Sequence, residues 1–149
     1  MMKLIEVRTT EELENCLKVR KEVFVKEQKV PEEIEVDEYD RFPEACSHWL
    51  ALDEEDRPAG TGRWIFYDRE PDTAKLQRLA VLSRHRGSGL GARLLQALES
   101  SAKDAGANYA ILDGQCHAEA FYIKQGYETI SEKPFLDAGI WHVRMRKRL

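Results

Sequence analysis

Cysteine is scarce in this chain. Three of its 149 residues are cysteines, Cys16, Cys46 and Cys116. Their number is odd and no two have the spacing of a C-x-x-C motif, so the sequence carries neither a disulfide framework nor the ligand spacing of a zinc site. We therefore expect no metal centre and no fold that depends on disulfides.

Long apolar runs are also absent. No stretch approaches the roughly 20 apolar residues that a membrane-spanning helix needs, and the first residues lack the apolar region of a secretory signal. The sequence has no internal repeats, no linker and no low-complexity segment. These absences predict a single domain over residues 1–149, located in the cytoplasm and without a membrane partner.

Positive charge does not dominate the composition. Charged residues make up 34% of the chain, and the formal net charge is -4. A negative protein repels the phosphate backbone of nucleic acids, so we expect no nucleic-acid partner. Hydrophobic residues account for 42% of the chain, which is enough to build a core.

The sequence does contain a strand, a glycine-rich turn and an amphipathic helix in succession. The strand is a short apolar run at residues 76–82, bounded by charged residues. The turn, residues 86–91, has glycine at alternate positions, which lets a ligand approach the backbone. In the helix, Leu90, Leu94 and Leu98 recur every four residues on the core face. Its first N–H groups have no intrahelical partners and can bind a phosphate.

Three interpretations compete for this arrangement. A P-loop requires Gly-Lys-Ser/Thr, and no lysine follows these glycines closely, so that interpretation fails. A dinucleotide fingerprint fits Gly87, Gly89 and Ala92, but that motif directly follows the first strand of a doubly wound domain, whereas here a large region precedes it. The third pattern, Arg-x-x-Gly-x-Gly, is met by Arg86, Gly89 and Gly91. We prefer this pattern, in which the arginine and the turn amides hold a pyrophosphate.

This strand, turn and helix resemble the acetyl-coenzyme A binding motif of the GNAT superfamily of N-acyltransferases. Residues 109–113 and the Ala-Phe-Tyr…Gly-Tyr segment at residues 120–127 extend the likeness over the second half of the chain. In the first half, residues 19–28 and 35–40 resemble the small bacterial branch typified by YjcF and ElaA. The resemblance implies a single α/β domain of mixed α+β type, with a central twisted mixed sheet of about seven strands and about four flanking helices.

The remaining pattern predicts where these elements lie. We predict strands at residues 3–8, 47–52, 60–67, 76–82, 107–112, 127–130 and 140–146, and helices at residues 9–24, 90–106 and 118–126. Thr9 and Glu12 have the spacing of a capping box at the start of the first helix. In the last strand, Trp141, Val143 and Met145 are expected on the buried face, and His142 and Arg144 on the solvent face. A homodimer formed through this strand is left open.

The resemblance also implies an activity. The protein is expected to transfer the acetyl group of acetyl-coenzyme A to a primary amine of a small molecule or peptide by direct attack of the amine. The alternative is a non-catalytic sensor that binds acyl-coenzyme A without turnover. The family match places the cofactor against a set of backbone and turn residues: Leu79, Ala80, Val81, Arg86, Gly87, Ser88, Gly89, Leu90 and Gly91.

Tyr122 matches the tyrosine of the family's Phe-Tyr pair and is expected to contact the cofactor. As general acid it would donate a proton to the departing thiolate. The general base is open, because many relatives have a glutamate on the central strand where this chain has Gln77 and Arg78. Glu27 is preferred as base for its place in the branch-like segment. Other candidates for the base or the acceptor cleft are Asp40, His48, His117 and His142.

Residues 26–45 form an acidic segment without a helical period. We expect a long loop or a broken helix there. One interpretation is a solvated loop, since charge runs are usually exposed. The other is a binding loop whose negative potential concentrates a cationic amine.

Overall fold

The first helix begins at the predicted cap. The protein is described here from a computed structural model that covers residues 2–149. The Thr9 hydroxyl accepts a hydrogen bond from the Glu12 amide at 3.1 Å, and the Glu12 carboxylate accepts one from the Thr9 amide. This capping box starts helix α1, Thr10–Arg20, which continues into a π-helical segment, Lys21–Glu27. The helix therefore extends past residue 24, where the sequence pattern ended.

A mixed sheet forms the centre of the domain. Within residues 2–149 it has eight strands in the order β1-β2-β3-β4-β5-β8-β6, with β7 paired to β8. The strands are β1 (Lys3–Glu6), β2 (Ser47–Leu52), β3 (Pro58–Phe66), β4 (Thr73–Val81), β5 (Tyr109–Gln115), β6 (Glu128–Thr129), β7 (Phe135–Asp137) and β8 (Ile140–Arg148). The pairing of β4 with β5 is parallel, whereas the other pairings are antiparallel. The predicted α/β domain is confirmed, with β7 as the strand that the sequence pattern missed.

The remaining helices are short except for the one after the glycine turn. They are α2 (Glu32–Glu35), α3 (Leu90–Asp104) and α4 (Glu119–Lys124). The stripe of α3 is buried against the sheet as predicted. Glu99 on the same helix is also buried, and it accepts a hydrogen bond from the Tyr127 hydroxyl at 2.8 Å. Burial, together with the charge of Glu99, raises the pKa of Tyr127.

The sheet opens between β4 and β5. These strands pair only from Thr73 to Lys75 with Tyr109 to Ile111, and beyond that point they separate. Within β4, Arg78 has a φ of +58°, and the register to β3 shifts between Thr61 and Arg63. A bulge of this kind bends a strand and interrupts its pairing. The edge of β4 that faces β5 is thereby freed for other contacts.

Strand β8 differs from its predicted pattern. Val143 and Met145 are buried, but the Trp141 side chain is 55% exposed and His142 is 8% exposed. Trp141 pairs with the exposed Leu136 of β7. The β7–β8 hairpin explains the burial of His142, because its Phe135 ring stacks on the His142 imidazole.

None of the helices in residues 2–149 combines the length and apolar character needed to cross a bilayer.

Candidate functional site

The separation of β4 from β5 creates a cavity of about 590 Å³. This volume is in the range of small-molecule and cofactor sites. Its walls come from the π-helical segment, α2, β4, β5, α4 and the β7–β8 hairpin. The predicted residues that line it are Glu27, Leu79, Ala80, Val81, Arg86, His117, Tyr122 and His142.

Of the glycine turn, only Arg86 lines the cavity, and the predicted residues 87–91 lie outside the lining. The turn itself has an open surface. Gly87 and Gly89 have φ values of +79° and +82°, and no atom lies within 4 Å of where a Cβ would stand on either. Gly89 is the N-cap of α3, and no side chain caps this helix, since the Ser88 hydroxyl donates to the His85 carbonyl instead. The first amides of α3 are therefore available to an anionic ligand.

Arg86 and Glu27 form an ion pair at the rim of the cavity. The Arg86 Nη2 atom lies 2.8 Å from the Glu27 carboxylate, and its Nε donates to the Val81 carbonyl at 3.0 Å. Because its carboxylate is engaged by Arg86, Glu27 is better placed to hold this arginine than to contact an acceptor as a base.

Tyr122 lies on α4 with its ring over β5. A Cβ on Gly114 would stand 3.0 Å from the tyrosine ring, so the ring fits only because residue 114 lacks a side chain. The rings of Phe121 and Tyr127 flank it edge to face, at centroid distances of 5.1 and 5.9 Å. The ring borders the cavity, but burial of the phenol raises the pKa of Tyr122 to about 12. The hydroxyl is therefore protonated at neutral pH and can donate.

Asp40 and His48 lie outside the cavity lining, and both are buried. The Asp40 carboxylate accepts hydrogen bonds from Arg20 at 2.6 and 2.9 Å and from Arg63 at 2.9 Å. The His48 imidazole donates from Nε2 to the Tyr39 carbonyl at 2.7 Å, and burial lowers the pKa of His48. Neither side chain can reach an acceptor in the cavity, so we leave both out of the site.

Asp40 belongs to a larger group of paired charges that joins the acidic segment to the sheet. We term it the arginine cluster, and its members are Arg20, Arg63, Arg78, Glu35, Asp37 and Asp40. Arg20 and Arg63 are each 1% exposed, so the guanidinium groups have no access to water and depend on these carboxylates.

The arginine cluster changes the interpretation of the acidic segment. Glu35 also accepts a hydrogen bond from Arg20 Nε at 2.8 Å, and Asp37 takes a bidentate pair from Arg63 at 2.7 and 2.8 Å. Three acids of the segment are thus neutralised by arginines of the core. Glu35 and Asp40 are also buried, so the solvated interpretation is wrong for these two residues. None of the three carboxylates is free to attract an amine, because each is paired with an arginine.

The opposite wall of the cavity carries an amide pair and two histidines. The side chains of Gln28 and Gln115 exchange hydrogen bonds at 2.7 and 3.2 Å, and the His117 Nε2 atom lies 2.6 Å from Gln115 Oε1. His142 is the register partner of Gln115 across β5 and β8. The sequence indicated both histidines but not Gln115, whose partner Gln28 lies 87 residues away in the chain. It did not indicate Gly114 either, because the contact with the Tyr122 ring depends on how α4 packs on β5. Among residues 2–149 no group of three His, Cys, Asp or Glu side chains is arranged to hold a metal ion.

Three features together are typical of acyl-coenzyme A dependent transferases. They are an open mixed sheet, a glycine turn at the start of a helix, and an unpaired strand edge that leads to this turn. The family comparison agrees, since residues 8–149 match the model of the acetyltransferase (GNAT) domain. This chain belongs to the GNAT acetyltransferase family, and the protein is an acyltransferase.

Individual relatives support the same assignment. The chain is 45% identical to the uncharacterized N-acetyltransferase YjcF of Bacillus subtilis, over 98% of this chain and 99% of that protein. The structure is similar to an acyl-CoA N-acyltransferase from Pseudomonas aeruginosa, with a TM-score of 0.81 at 27% identity, covering 99% of this chain and 98% of that one. Escherichia coli ElaA shares the fold, with a TM-score of 0.83 at 21% identity and coverage of 99% and 100%.

Proposed function

We propose that this protein is an N-acetyltransferase that transfers the acetyl group of acetyl-coenzyme A to a primary amine of a small molecule or peptide. The observation that carries the proposal is the continuity of one cavity. It runs from Arg86, the first residue of the glycine turn, along the unpaired edge of β4 at Leu79, Ala80 and Val81, to the Tyr122 side chain. A nucleotide with a long amide-bearing arm and a terminal thioester matches this shape.

The turn supplies the contacts for the pyrophosphate. Backbone amides at residues 87–91 and the N-terminus of α3 favour negative charge, and Arg86 adds a guanidinium group at the same rim. The arm amides of the ligand would pair with the free edge of β4 as an added strand does. An amide near Val81 would then polarise the thioester carbonyl, a type of contact that commonly contributes about 3 kcal/mol.

Tyr122 is the proposed general acid. Its phenol is protonated at neutral pH and would donate to the thiolate as the carbon–sulfur bond breaks. The acceptor amine would approach from the wall that carries His117 and His142. The sequence position of Glu27 suggested that it is the base. We assign it instead the role of holding Arg86 in position.

Calorimetry and a thiol-release assay test this function. Titration with acetyl-coenzyme A should give saturable heat, NADH should give none, and an amine library should release free coenzyme A. If the coenzyme binds and no amine raises thiol release above the buffer rate, the protein is a sensor. If NADH binds and acetyl-coenzyme A does not, the dinucleotide interpretation replaces the proposal.

Tyr122→Phe tests the acid. It should lower the acetylation rate by about 10²–10⁴-fold at neutral pH while leaving acetyl-coenzyme A affinity within a few fold. A loss of less than about threefold would remove Tyr122 from the mechanism.

A further inference from the structure

The cavity passes through the sheet, and its two ends lie on opposite faces. A Cβ added to Gly114 would point at the Tyr122 ring, so Tyr122 lies on the face of β5 to which position 114 is directed. The next residue, Gln115, points to the other face, because side chains alternate along a strand. His142 is directly opposite Gln115 in the β5–β8 register, and directly paired residues share a face. Tyr122 and His142 thus border one cavity from opposite sides of the sheet.

The imidazole of His142 is held in a defined orientation. Its Nδ1 atom lies 2.7 Å from the Ile140 carbonyl, and a carbonyl only accepts hydrogen bonds, so Nδ1 carries the proton. In the neutral ring the Nε2 atom then keeps its lone pair. The ring of Phe135 lies nearly parallel to the imidazole, at an interplanar angle of 22°, and limits its rotation.

Four carboxylates line the cavity. Asp137 is exposed on β7, and the other three are engaged in ion pairs. Glu27 is paired with Arg86, Glu35 is shared by Arg20 and Arg78, and Asp113 accepts a bidentate pair from Arg144 at 2.8 and 3.1 Å. Protonation of any of them would forfeit an ion pair. His117 is exposed, and its Nε2 is engaged by Gln115.

We propose that His142 is the general base of the acyl transfer, an inference that rests on the proposed function. Its Nε2 atom removes a proton from the ammonium form of the acceptor. The neutral nitrogen attacks the thioester carbonyl carbon, the nitrogen–carbon bond forms and the carbon–sulfur bond breaks. The sulfur takes the electron pair and receives a proton from Tyr122, which regains one from the attacking nitrogen through solvent. One amide, one thiol and one net proton result.

The charged and titratable groups around His142 belong to several elements. They are Asp113 and His117 on and after β5, Asp137 on β7, Arg144 on β8, and Glu27, Glu35, Lys75, Arg78 and Arg86 across the cavity. A pH profile of the wild type alone therefore cannot identify the base, and variants are required.

His142→Asn is the central variant, since the asparagine amide can still donate to the Ile140 carbonyl but offers no basic nitrogen. With an alkylamine acceptor at pH 7 we expect kcat/KM to fall by about 10²–10⁴-fold and the variant to regain activity as the pH rises. With an aromatic amine, which is already neutral at pH 7, the loss should shrink to less than about tenfold. Unchanged acetyl-coenzyme A affinity by calorimetry shows that H142N is folded.

Two further measurements keep the inference open to contradiction. In ¹⁵N NMR of the resting protein, the imidazole signals that disappear in H142N should show a protonated Nδ1 and a basic Nε2, and the reverse tautomer overturns the proposal. His117→Asn tests the other histidine of the cavity. If kcat/KM falls further in this variant than in H142N, the base is His117. If H142N loses equally with both acceptors, His142 binds the acceptor and is not the base.

The proposed function and the base assignment fail in different ways. If the wild type binds no acetyl-coenzyme A, or acetylates no amine, both the proposed function and the base assignment are wrong. If the wild type acetylates an amine and the rate of H142N is within about threefold of the wild-type rate, only the base assignment is wrong.

Discussion

The acidic segment, residues 26–45, and the glycine turn, residues 86–91, are both irregular in sequence, yet the structure positions them by different means. The acidic segment is tied to the sheet by buried pairs such as Asp40 with Arg20 and Arg63. The glycine turn has no atoms packed around Gly87 or Gly89. One irregular segment is thus a structural wall of the cavity, and the other is a surface left open for a ligand. Substitutions in the first should cost stability, and substitutions in the second should cost ligand affinity.

The largest effect is expected from Asp40→Asn. Removing one partner of a buried charge pair commonly costs about 3–5 kcal/mol, because the remaining charge is left without water or a counter-charge. Urea unfolding should show this loss, and the exposed Glu38→Gln should stay within about 0.5 kcal/mol. Equal, small losses in both variants would show that the arginine cluster does not anchor the segment.

The pH dependence of stability provides a second test of the buried pairs that hold the acidic segment. Burial alone would raise the pKa of Asp40, but the hydrogen bonds and charge of Arg20 hold it below its usual value. The unfolded chain therefore takes up the proton first as the pH falls, and the stability that Asp40 provides declines through acidic pH. The free energy of unfolding of the wild type should fall from about pH 5 downward, more steeply than that of Asp40→Asn. Parallel curves for the two proteins would contradict this assignment.

Gly89→Ala tests the turn. A side chain at φ +82° costs roughly 1–2 kcal/mol of strain, and it also alters the amides that face the ligand. We expect a modest loss in stability and a larger loss in acetyl-coenzyme A affinity by calorimetry.

Gly91→Ala is the matched control for the turn. Its Cβ would make an ordinary 3.6 Å contact with Phe121, and Gly91 lies inside α3 without a positive φ, so stability should hold or improve. If Gly91→Ala leaves the affinity unchanged while Gly89→Ala lowers it, the ligand depends on the turn conformation. Unchanged affinity in both would place the phosphates elsewhere.

Glu27→Gln should have the smallest effect. Partly exposed ion pairs contribute about 0–1 kcal/mol, so loss of the contact to Arg86 should change acetyl-coenzyme A affinity only a few fold, and it should leave turnover nearly intact. A loss of turnover by a factor of about 100 or more would restore Glu27 as the base.

The parts that the sequence predicted are those with local signals. The cap at Thr9 and Glu12, the buried stripe of α3 and the strand before the turn each lie within one short window. Such periodicities act between neighbours and can be recognised without the rest of the chain.

The parts that it did not predict depend on distant partners. Glu35 meets Arg78, and Gln28 meets Gln115, only after the sheet has formed. Strand β7 was missed because its three residues are largely exposed and gain their order from pairing with β8. The burial of His142 was missed for the same reason, since the hairpin that covers it is absent from the alternation pattern.

The parting of β4 and β5 also has a consequence for association. An unpaired strand edge at the rim of a sheet invites pairing with any extended chain, which is a hazard for aggregation. Here the free edge lies in the interior of a sheet, with strands on both sides. The strands on either side hinder pairing of this edge with the edge strand of another molecule, whereas the arm of a small ligand can lie along it. The position of the gap inside the sheet thus lowers the aggregation hazard that an exposed edge would carry.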